Sequence, residues 1–177
     1  DFAAARSTTE AAPPAAADAG IVRAWSISKA FTPPTDDSVL PPAATLGDFS
    51  RVEAEPDGLV PLHRHIAVPP GGATAAVARF TARAESGGVY AFDLGFSDIA
   101  TVFVNGRPLF RGDQSYSFDR PRRDGLIGFD QARLYLPLNA GDNEVAVLLS
   151  DSFGGWGLMG RVADPVRVTV VAQGQAP

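Results

Sequence analysis

The sequence predicts an all-β fold, with about ten short strands arranged as a sandwich or barrel. Three observations carry that expectation. Beyond residue 20, apolar residues recur mostly at a period of two, the pattern of half-buried strands. The apolar runs are short and are separated by Gly, Pro, Asp and Asn, which punctuate strands with turns. No segment carries a convincing apolar stripe at the roughly 3.6-residue spacing of a helix. There is no internal repeat. The 177 residues suit a single domain, and a hydrophobic share of 45% is enough to build its core.

The elements follow in order. Residues 21–31 read as a first strand, with Trp25 in the core. Residues 33–42 cannot be a strand interior, because four prolines remove backbone donors there. Residues 49–55 and 59–68 read as a hairpin around Pro56-Asp57-Gly58, which suits a type I turn with a following glycine. Strands are then expected at 74–84, 89–96 and 101–104. Asn105-Gly106 is the strongest hairpin signal, since both residues tolerate positive φ, and the return strand holds Pro108 to Phe110. Later strands fall at 133–138, 144–149, 157–162 and 166–171.

Alternation assigns the faces. Tyr90, Phe92, Leu94 and Phe96 share one face, and Asp93 points to the other. Val145, Val147 and Leu149 alternate with Glu144, Ala146 and Leu148, so this nearly apolar strand belongs at the centre of a sheet. Val166, Val168 and Val170 alternate with Arg167 and Thr169, as in a half-exposed strand.

Charge and composition narrow the partners. The formal charge of −5 argues against nucleic acid, whose phosphates call for a basic face. One lysine, Lys29, stands against fourteen arginines, a bias of GC-rich coding. No apolar run approaches the roughly 20 residues of a membrane span. Cysteine is absent, which removes disulfides and thiolate metal sites without fixing the compartment. Residues 1–19 form an Ala/Pro-rich stretch without an apolar face, expected as a disordered arm or linker ahead of a domain at residues 20–177. The arm reads as the tether left by a cleaved export signal or as an interdomain linker, which points to a periplasmic or extracellular location.

Two stretches resemble a known family. One runs Ser97-Asp98-Ile99-Ala100-Thr101-Val102-Phe103-Val104-Asn105-Gly106-Arg107-Pro108-Leu109-Phe110; the other runs Leu136-Pro137-Leu138-Asn139-Ala140-Gly141-Asp142-Asn143-Glu144-Val145-Ala146-Val147. Together they resemble the galactose-binding-domain-like jelly rolls, found as carbohydrate-binding modules and as accessory domains of β-galactosidase-type enzymes. The resemblance implies a jelly-roll β-sandwich of two antiparallel sheets and a carbohydrate ligand. It transfers no sugar-site motif to residues 111–125, and residues 151–160 fall outside the pattern. Jelly rolls of this kind often carry a structural calcium ion. Asp98, Asp142, Asp151 and the carbonyls of glycine-rich turns are candidate ligands here, although no EF-hand spacing is present.

The candidate binding residues lie in the polar loop after the Asn105-Gly106 hairpin. Arg111, Asp113, Gln114, Tyr116, Asp119, Arg120 and Arg122 supply planar groups that fork onto paired hydroxyls and an aromatic face for a sugar ring. The other reading is a solvated loop with local charge pairs. Trp156, flanked by Gly154, Gly155 and Gly157, reads either as a stacking platform or as a core ring closing one end of the sandwich. His63 and His65 share a strand face and could ligate a metal with a third ligand that is not identified; surface histidines are the plainer reading.

Three functions remain open at this point. The first is a non-catalytic carbohydrate-binding domain, with Arg111, Asp113, Tyr116, Asp119, Arg120 and Trp156 as its site. The second is a structural or protein-interaction module. The third is a small glycan-active hydrolase, against which the missing G-x-S-x-G elbow counts.

Overall fold

In the computed structural model, the described residues are 18–68, 74–116, 126–152 and 154–171. They form eleven strands in two antiparallel sheets packed face to face. The strands are β1 (Ala24–Ile27), β2 (Ser50–Glu53), β3 (Val60–Pro61), β4 (Thr74–Ala84), β5 (Gly88–Ser97), β6 (Ile99–Val104), β7 (Arg107–Asp113), β8 (Ala132–Leu138), β9 (Gly141–Asp151), β10 (Gly157–Val162) and β11 (Val168–Val171). A single helical turn, α1 (Ala43–Leu46), follows the proline-rich stretch. The larger sheet runs β2-β1-β4-β9-β6-β7, with β11 also paired to β4. The smaller runs β3-β10-β5-β8. This is the two-sheet sandwich that the resemblance implies, and neither sheet closes into a barrel.

The period-two pattern translates directly into burial. Tyr90, Phe92, Leu94 and Phe96 all lie in the core, as do Val145, Val147 and Leu149 from β9. Trp25 meets Phe80 edge-on with ring centroids 5.2 Å apart, and Phe80 stacks on Phe92 at 5.6 Å. Such pairs contribute about 0.5–1.5 kcal/mol each beyond their buried area. Strand β9 sits between β4 and β6, and its second face is buried too. There Ala146 and Leu148 pack with Val77 and Phe103 under Phe31, Leu40, Leu46 and Phe49. The proline-rich segment and α1 therefore roof the outer face of the larger sheet. At the hairpin, Asn105 and Gly106 take φ of 50° and 77°, as two consecutive left-handed residues must in the turn that fits strand twist.

Several expectations need correction. Residues 49–55 and 59–68 do not pair as a hairpin: β2 joins β1 in the larger sheet, and β3 joins β10 in the smaller. The turn between them forms, with Gly58 N–H donating to the Glu55 carbonyl at 2.8 Å and Leu59 N–H to Asp57 Oδ1 at 3.0 Å. Beyond it the strands part, because Val52 and Val60 reach the shared core from opposite sheets. After Pro61 the chain turns as a 3₁₀ helix (Leu62–Arg64). His63 and His65 are therefore exposed residues around a helical turn and share no strand face. The first strand shrinks to β1, with isolated bridges at Ile21 and Phe31, and Val166 is exposed ahead of β11.

Candidate functional site

Strand directions bring five chain segments to one end of the sandwich: the turn after β3, the β5–β6 junction, the end of β7, the end of β9 and the approach to β10. Asp98 ties three of them together, the β5–β6 junction, the end of β7 and the end of β9. It is 1% exposed. Its Oδ1 accepts the Ser97 hydroxyl at 2.9 Å, and its Oδ2 accepts the Ser152 N–H at 2.8 Å and the Ser152 hydroxyl at 2.9 Å. Its backbone carbonyl accepts Gln114 N–H at 2.7 Å, and its N–H donates to the Ser150 carbonyl at 3.2 Å. On the far side, Leu62 N–H donates to the Trp156 carbonyl at 2.9 Å, which holds the turn after β3 against β10.

On this framework sit Asp113, Gln114, Ser115 and Tyr116. Asp113 Oδ1 caps the turn by accepting Ser115 N–H at 2.9 Å. Tyr116 is 45% exposed, the largest open aromatic surface at this end among the described residues. Asp151 lies close by in a partly desolvated position. Burial pushes its carboxyl above the ordinary range, the neighbouring Asp98 charge adds to that push, and His63 opposes it. Asp151 Oδ1 is buried without a hydrogen-bond partner. This end therefore combines an exposed ring, amide and carboxylate groups, and a carboxyl with an unmet hydrogen-bonding capacity.

The residues expected from sequence divide into four groups. Asp113 and Tyr116 are at this end. Arg111, two residues earlier on the same face of β7, is engaged by Asp37, Nε to Oδ2, at 2.6 Å. Asp119 and Arg120 lie outside the described residues. Trp156 shares the end but not the surface. It is 2% exposed and packs in the main core, so neither ring face can stack on a sugar, and its Nε1 is buried without a partner. Of the flanking glycines only Gly157 lets the chain pass close to the core: a Cβ there would lie 2.7 Å from the Val60 carbonyl oxygen, whereas one on Gly154 or Gly155 would meet nothing within 4 Å.

The metal candidates do not converge as expected. Asp142 lies at the opposite end of β9, bound to Arg83 at 2.6 Å. Among the described residues, no three His, Cys, Asp or Glu side chains come together to hold an ion, and His65 finds no partner set. No helix among them is long and apolar enough to cross a membrane.

Fold and site thus define a β-sandwich with a polar end whose loops are fixed from beneath. No family model and no curated protein matches this sequence. Among solved structures, two of a β-glucosidase from Kluyveromyces marxianus share the fold. The one in complex with glucose aligns over 77% of this chain and 16% of its own, at 18% identity and a TM-score of 0.50. The selenomethionine-labelled form aligns over 83% and 18%, at 15% identity and a TM-score of 0.51. The chain thus spans less than a fifth of that enzyme's length. A family 35 carbohydrate-binding module from an environmental isolate also aligns, over 58% of this chain and 73% of its own, at 21% identity and a TM-score of 0.39.

Proposed function

We propose that this chain is a non-catalytic carbohydrate-binding domain whose glycan seats at the loop end of the sandwich. One observation carries the reading: the polar segment that carries exposed Tyr116 is tied through the Gln114–Asp98 bond to a buried hub that also fixes the β9–β10 loop. A stacking ring anchored on a rigid floor binds with little ordering cost, which is what a shallow site for a polyhydroxylated ligand needs. Asp113, Gln114 and Asp151 offer the planar hydrogen-bonding groups that sugar hydroxyls match. The Asp98 carboxylate is committed to Ser97 and Ser152, a holding role. The β-sandwich segment of a β-glucosidase shows the same fold inside a sugar-active enzyme; the activity of that whole enzyme is not carried over to this chain.

The test is titration calorimetry against soluble polysaccharides with wild type, Tyr116→Ala and Arg111→Ala. A shallow site should give Kd of about 10 μM to 1 mM. Tyr116→Ala should weaken binding about tenfold or more, because aromatic anchors dominate such interfaces. Arg111→Ala should leave it unchanged, since Arg111 is engaged with Asp37. Binding that survives Tyr116→Ala at full strength removes the loop end as the seat. If no polysaccharide binds, the protein-interaction reading replaces this one.

A further inference from the structure

The outer face of the smaller sheet carries a second arrangement that the loop end does not use. Asp93 on β5 is 3% exposed although its side chain points away from the core. Its neighbours in register are Arg133 on β8 and Arg161 on β10. Arg133 donates through Nε to Oδ1 at 2.7 Å and through Nη2 to Oδ2 at 3.1 Å. Arg161 donates through Nε and Nη2 to Oδ2 at 3.2 and 2.8 Å. The Arg133 hydrogen bonds, helped by those of Arg161, hold the Asp93 carboxyl below its ordinary range against the upward push of burial. Arg161 is further fixed by Phe129, whose ring centroid lies 4.6 Å from its guanidinium carbon.

These groups line a hollow of about 440 Å³ together with Asp130. A structural ion pair alone leaves several features unexplained. Neither Arg133 Nη1 nor Arg161 Nη1 has an acceptor among the described residues, and the Asp130 carboxylate is exposed without a donor there. Beside the hollow, Tyr135 stands 62% exposed on the same face of β8 as Arg133. Its cross-strand neighbour is Ala91, whose small side chain leaves the ring open to solvent. The loop that supplies Phe129 and Asp130 is pressed onto the sheet, since a Cβ on Gly95 would lie 2.5 Å from the Gly128 carbonyl oxygen.

We infer that this face is a second binding site, for a neutral glycosyl residue. The charges decide the class of ligand. Asp93 and Asp130 balance Arg133 and Arg161, so the hollow gains nothing by attracting an anion. It presents fixed guanidinium donors and a carboxylate acceptor, with an aromatic ring two residues along β8 from Arg133. A sugar hydroxyl accepts from one kind of group and donates to the other, and the ring's C–H face packs on Tyr135. Because both arginines are already oriented by Asp93, little side-chain freedom is lost when they engage a ligand.

The experiment is amide and arginine side-chain NMR titration of the full chain with galactomannan and xyloglucan oligosaccharides, alongside oligogalacturonate. Wild type, Tyr135→Ala, Asp130→Asn and Tyr116→Ala are compared. The altered side chains at 130 and 135 are exposed, so the fold should persist, which the core signals of Phe80 and Phe92 will report. The expected result is that a neutral oligosaccharide shifts the signals of Arg133, Arg161 and Tyr135. Tyr135→Ala and Asp130→Asn should each weaken that phase about tenfold, and Tyr116→Ala should leave it intact. Shifts confined to residues 113–116 and abolished by Tyr116→Ala would overturn the inference while leaving the loop-end site standing. Tighter binding of oligogalacturonate than of any neutral sugar would overturn the charge argument, and silence of this face toward every sugar would overturn the site.

Discussion

Replacing Asp98 with alanine should loosen the whole loop end at once, because one side chain holds the β5–β6 junction against the β9–β10 loop. The magnitude follows from its partners. The Ser97 and Ser152 hydroxyls can rotate toward other acceptors, so each loses about 0.5–1 kcal/mol. The Ser152 N–H cannot turn away, and losing a charged acceptor in a partly buried place costs about 1–3 kcal/mol. One change runs the other way: removing the Asp98 charge relieves its repulsion of Asp151. The net expectation is a loss of about 2–3 kcal/mol, or roughly 5–10 °C in Tm for a domain of this size. Asp98→Asn keeps an acceptor in place and should lose about half as much. Thermal unfolding followed by circular dichroism measures both, and titration of Asp151 by NMR should show its pKa returning toward the ordinary carboxylate value in either variant. A Tm within 2 °C of wild type for Asp98→Ala would refute the role of Asp98 as the tie.

Two other expectations follow from buried groups. Trp156→Ala should cost about 3–5 kcal/mol in chemical denaturation, as large-to-small core changes do, whereas Trp156→Phe should cost less than about 1.5 kcal/mol, because it also removes an indole N–H that is buried without a partner. Asp93 has a folded pKa below its unfolded one, so its contribution to stability is present above the unfolded value and is lost as pH falls through the depressed folded value. The stability gap between wild type and Asp93→Asn should therefore be full at pH 7, persist at pH 5 and close only well below pH 4; a gap that closes between pH 7 and 5 would mean the carboxylate is not held by its arginines.

What the sequence determined by itself is what depends on neighbours along the chain. The alternation of Tyr90, Phe92, Leu94 and Phe96 assigns those side chains to the core whatever strand lies beside them, because successive residues of a strand point to opposite faces. Asn105-Gly106 fixes its hairpin because two consecutive residues must take positive φ, a local demand that few residue pairs meet. Periodicity says which face a residue occupies but not which strand is its neighbour. That is why residues 49–55 and 59–68 look like a hairpin yet end in different sheets: a turn signal fixes a reversal over four residues, and the core on each side decides what pairs beyond it. The same limit governs function. Tyr116 and Asp113 are legible as a polar, aromatic loop, but Ser152 reaches Asp98 across 54 residues and Arg161 reaches Asp93 across 68. Whether Trp156 faces solvent or core is equally invisible locally, since glycines on both sides suit either place. Those outcomes belong to the tertiary structure, because they are set by the order in which distant strands pack, and no short-range pattern encodes that order.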